Sequence, residues 1–166
     1  MDTLSTLELL AEISIGLIGF AGVVTALGRS KLATEVRYFR TIALLLNGGA
    51  ALFGSLLPII LFNSGLSAST LWISSSVALG LIMTSSLLWV SFKARKLIAQ
   101  SELPAGMTVL IVFLSSLVGL VLLYAAFFAS SSLPRIYPGA VFWSLALGIF
   151  HFFILVISIE VPSESQ

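Results

Sequence analysis

"AEISIGLIGFAGVVTALG", residues 11–28, is a near-unbroken apolar run carrying one carboxylate, Glu12, and glycines at positions 16, 19, 22 and 28. A hydrocarbon core about 30 Å thick takes roughly 20 residues of helix to cross, and this stretch with the leucines before it has that length. The preceding "MDTLSTLELL" is acidic where a secretory leader needs a basic start, so the run reads as a retained transmembrane helix.

The rest of the chain repeats the pattern. Of 166 residues, 58% are apolar and only 9% charged, whereas about a quarter of a soluble domain is charged. Mean hydropathy is +1.14. Five stretches are long enough to span a bilayer, at about 8–28, 41–62, 70–92, 107–129 and 139–159. Their separators carry turn chemistry: Asn63-Ser64-Gly65, Pro104-Ala105-Gly106, and Ser130 through Pro138-Gly139. The expected fold is therefore an all-α integral membrane protein, a single domain of five transmembrane helices. The segment "RSKLATEVRYFR" is polar but periodic, with Leu32, Val36 and Phe39 on one face and Thr34 as a cap, so it extends the second helix out of the membrane.

Orientation follows from lysine and arginine, which are retained on the cytoplasmic side. Arg29, Lys31, Arg37, Arg40, Lys93, Arg95 and Lys96 fall in or beside the first and third connections, and Arg135 alone lies on the other side. This predicts an external N-terminus, a cytoplasmic C-terminus and a multi-pass protein of the plasma (inner) membrane. Trp72, Trp89, Tyr38, Tyr137 and Trp143 lie near predicted helix ends, as an aromatic belt requires. Helices two and three, and four and five, read as two hairpins of like orientation, a hint of duplication.

At about 100° per residue, Glu12, Gly16, Gly19, Val23 and Ala26 share one stripe of the first helix, with Gly22 beside it. Small residues let membrane helices approach closely, so this face is expected to meet protein, within one subunit or between subunits. Counting along the helix puts Glu12 about one turn below the outer surface, where a helix N-terminus favours a carboxylate. The second helix aligns Arg40, Asn47, Ala51, Gly54 and Pro58; Arg40 is placed to snorkel to the inner surface, Asn47 needs a partner, and Pro58 frees a carbonyl. The fifth aligns Ala140, Ser144, Gly148, His151 and Ser158, with His151 nearest the bilayer centre.

Intramembrane ionisable residues are functional candidates by default. Glu12 is either an interfacial charge or an ion selector, and His151 either bonds a serine or serves a proton or ion path. Catalysis has little basis: one histidine and no cysteine rule out a multi-histidine metal site and a Cys/His pair. A triad would have to join His151 to a carboxylate roughly 10 Å away along the membrane normal. No cofactor, metal or nucleic-acid site is expected. The leading expectation is a homo-oligomeric channel or pore for ions or protons, with Glu12, Asn47, His151 and Arg40 along its path and Gly16, Gly19, Gly22, Ala26 and Gly54 as packing faces. A non-catalytic subunit or scaffold binding another membrane protein is the alternative, and a small secondary transporter the third.

Overall fold

With no water in the hydrocarbon, each apolar run has to pair its own backbone N–H and C=O groups, and the helix does so within the segment. The computed structural model describes residues 3–27, 34–100 and 103–158. They form α1 (Thr3–Leu27), α2 (Thr34–Asn63), α3 (Ala68–Ala99), α4 (Ala105–Phe128) and α5 (Leu133–Ile157), with a single 3-10 turn at Ser130–Ser132 before α5. All five helices are long and apolar enough to cross a membrane. The protein is thus all-helical and compatible with a multi-pass membrane protein.

Helix ends differ from the sequence expectation where packing or proline chemistry intervenes. The predicted extension of α2 is present, and α3 runs on to meet it. Val36 and Phe39 pack against Ala94, Leu97 and Leu103, and the Phe39 ring stacks on Trp89 at 6.5 Å between centroids. Leu32 lies outside the described residues. At this basic end Arg37 Nη2 donates to the Thr25 carbonyl at 2.7 Å, satisfying one of the orphan acceptors in the last turns of α1. At the other end α5 begins at Leu133, so the expected loop through Pro138 is wound into helix. Pro134 is tolerated in the first turn, where N–H groups lack partners anyway. Leu133 and Tyr137 are fully buried, so tertiary packing favours the helical conformation here.

Among the described residues α5 touches all four other helices, whereas α1 touches only α2 and α5, and α4 leans chiefly on α3. α2 and α3 pack against each other more extensively than α4 and α5 do. The main core gathers Leu7, Leu10, Leu17, Leu79, Leu122, Tyr137, Val141 and Leu145. Its most extensive contact is between α2 and α5, where two backbones come close. A Cβ added at Gly148 would stand 3.4 Å from the Gly48 backbone nitrogen and 3.0 Å from Leu17 Cδ2.

Candidate functional site

Two groups of polar residues need a physical account, one inside the bundle and one on its flank. Inside, α2 carries Arg40 and α5 carries His151 on the faces that meet, and both side chains are buried, each with 6% of its surface exposed. Arg40 Nη1 lies 3.2 Å from His151 Nδ1. A guanidinium has hydrogens only to give, so Nδ1 is the acceptor and the neutral ring carries its proton on Nε2. The Phe150 ring adds a second attraction, its centroid 5.9 Å from Arg40 Cζ, within the range of a cation–π contact. These two partners turn Arg40 inward, where the sequence suggested an arginine reaching for the membrane surface. Arg40 Nε and Thr41 Oγ1 are buried without hydrogen-bond partners. No carboxylate among the described residues pairs with Arg40; the ion pair formed there is Lys96–Glu35, at 3.2 Å and largely exposed.

Next to this pair is a cavity of about 50 Å³ between α2, α3, α4 and α5, whose polar lining is Asn47, Ser86, Ser115, Ser144 and His151. Asn47 Nδ2 donates to the Ala43 carbonyl of its own helix at 2.7 Å, so its partner is local, not a neighbouring helix. Trp143 Nε1 donates to Ser115 Oγ at 3.2 Å, and Ser144 Oγ donates to the Ala140 carbonyl at 3.3 Å. Trp143 is thus half-buried, with its indole N–H tied to α4. The stripe expected on α5 does face inward, with Ala140, Ser144, Gly148 and His151 all buried.

Farther from the basic end, Tyr137 takes the same route inward. Its hydroxyl donates to the Gly54 carbonyl at 2.7 Å, and its ring meets Trp72 edge-on at 5.7 Å. Pro58 stands four residues after Gly54 inside α2 and lacks the N–H that would otherwise donate to that carbonyl. The acceptor freed by proline is taken by a tyrosine 83 positions away in sequence. The proline announces the orphan carbonyl in the sequence; nothing local announces its donor. Gly54 itself is a close contact: a Cβ there would lie 3.1 Å from Leu79 and 3.2 Å from Val141.

The first helix is the reverse case. Its buried face is Leu7, Leu10, Ala11, Ser14, Leu17 and Ala21, at the three- and four-residue spacing of a packed stripe. Glu12, Gly16, Gly19, Gly22 and Ala26 are all exposed, and a Cβ added at Gly16, Gly19 or Gly22 would find no atom within 4 Å. The close approach expected of this face is therefore not made within the chain. Because α1 begins at Thr3 rather than near residue 8, Glu12 sits nine residues in, about 13 Å along the axis. That is beyond the first turn, where helix-end amides favour a carboxylate.

The predicted site residues thus divide. Arg40 and His151 are in contact and Asn47 shares the cavity with His151, whereas Glu12 is on the outside of α1 with the glycines. No family model, curated protein or solved structure matches the chain.

Proposed function

We propose that the protein is a non-enzymatic, self-associating membrane subunit whose copies meet around the glycine face of α1, and that the assembly forms a small cation pore with Glu12 at its outer mouth. The topology assumed is the one the positive charges predict, N-terminus outside. The observation that carries the reading is the open stripe of Glu12, Gly16, Gly19, Gly22 and Ala26 on the flank of the subunit. A carboxylate on a lipid-facing helix costs several kcal/mol toward the bilayer centre, on the order of 2.5–3.5 by insertion scales. Turned to a shared axis, the same carboxylates face water and attract cations, and side chains this small leave the lumen open. Arg40 and His151 are buried among the helices of one subunit and Asn47 is half-buried beside them, so the pore proposed here does not run through them.

A second reading is favoured by what the stripe lacks. Below Glu12 it is glycine, valine and alanine, with no further polar group to replace an ion's hydration shell. Such a face suits dry helix packing, and a different membrane protein with a basic residue opposite Glu12 would fit it. Native mass spectrometry of the detergent-purified protein and ion flux into liposomes separate these readings. The pore predicts a defined homo-oligomer, its loss in Gly19→Leu, and reduced cation flux in Glu12→Gln. A monomer, or an oligomer without flux, overturns the pore; retention of a distinct co-purifying membrane protein that Gly19→Leu releases supports the scaffold.

A further inference from the structure

We infer that each subunit binds a small monovalent anion, of halide size, in the cavity between α2, α3, α4 and α5 beside His151. The cavity volume of about 50 Å³ compares with the roughly 10–15 Å³ that one water needs, so it has room for one halide ion with a water or two. What selects the sign of the guest is the lining. The Arg40 contact occupies His151 Nδ1 and leaves the ring N–H on Nε2. Ser115 Oγ already accepts from Trp143, so its hydrogen is free to be donated. One amide hydrogen of Asn47 is given to Ala43, and the second remains. No carboxylate lines the space, and the buried guanidinium directly behind His151 has no carboxylate partner among the described residues. An isolated charge in a low-dielectric interior is costly until a counter-charge approaches. An anion held by the imidazole N–H supplies one, whereas a cation would meet donors and a like charge.

The inference is independent of how subunits associate. It is tested on the detergent-purified protein by following thermal unfolding in sodium bromide against sodium gluconate at constant ionic strength, gluconate being a far bulkier anion than bromide. Bromide should raise the melting temperature saturably and gluconate should not. His151→Phe should abolish the saturable response. Ser115→Ala, which keeps the bundle's large side chains, should raise the half-saturating bromide concentration about tenfold, the worth of one hydrogen bond to a charged group. In crystals grown with bromide, an anomalous peak should lie within hydrogen-bonding reach of His151. Equal responses to the two salts, a wild-type response in Ser115→Ala, or water alone at the site would overturn the proposal. Should His151→Phe fail to fold, Ser115→Ala and the bromide peak decide it.

Discussion

The bond from Tyr137 to the Gly54 carbonyl makes a prediction that a simple packing account does not. Tyr137→Phe keeps the ring, its burial and its edge contact with Trp72, and removes only the hydroxyl. Interhelical hydrogen bonds in membrane proteins average about 0.6 kcal/mol, because alternatives are usually at hand. Here Pro58 has removed the ordinary helical donor, so the substitution leaves the carbonyl at Gly54 without either one. Orphaning a buried polar group costs about 1–3 kcal/mol, and the loss should exceed the membrane average, at about 1–2 kcal/mol. In a Pro58→Ala background the new amide at position 58 donates to Gly54 and the tyrosine bond becomes one of two. Tyr137→Phe should then cost no more than about 0.5 kcal/mol, giving a coupling energy of about 1 kcal/mol or more. Reversible unfolding by SDS in mixed micelles, followed by tryptophan fluorescence, measures all four corners of the cycle. Equal costs in the two backgrounds would refute the account, as would a Tyr137→Phe variant as stable as wild type.

Two further outcomes test the packing. Gly148→Ala places its methyl 3.4 Å from the Gly48 backbone nitrogen and 3.0 Å from Leu17, and should destabilise the fold by about 1–3 kcal/mol. Gly16→Ala and Gly19→Ala, with open space at the Cβ, should leave the stability of the isolated subunit within about 0.5 kcal/mol of wild type or raise it; the same SDS titration compares them. Glu35→Ala breaks the Lys96 ion pair, whose side chains are 61% and 59% exposed, and should shift stability by less than about 0.5 kcal/mol; a larger loss would show that the basic end depends on charge more than on the Phe39–Trp89 stack.

The five long apolar helices were legible in the sequence because their formation is a local matter: a run of about 20 apolar residues satisfies its own backbone wherever its neighbours lie. The inward stripe of α5, the extension of α2 and the orphan carbonyl behind Pro58 were legible for the same reason, being consequences of helical period, residue pattern and the missing N–H of proline. Which face of α1 packs was not legible. Leu7, Leu10, Leu17 and Ala21 on one side and Glu12, Gly16, Gly19 and Ala26 on the other are both plausible contact faces, since lipid and protein interior are alike apolar and exert no pull between them. In the folded chain Leu7, Leu10 and Leu17 join the main core, Leu17 against the close approach of Gly48 and Gly148, and the glycines stay open. Likewise Arg40 at the end of one span and His151 near the middle of another have separate depths when each helix is counted alone. Tertiary structure sets the helices' relative heights, brings the two side chains within 3.2 Å, and gives the buried charge a histidine where the sequence offered only a membrane surface.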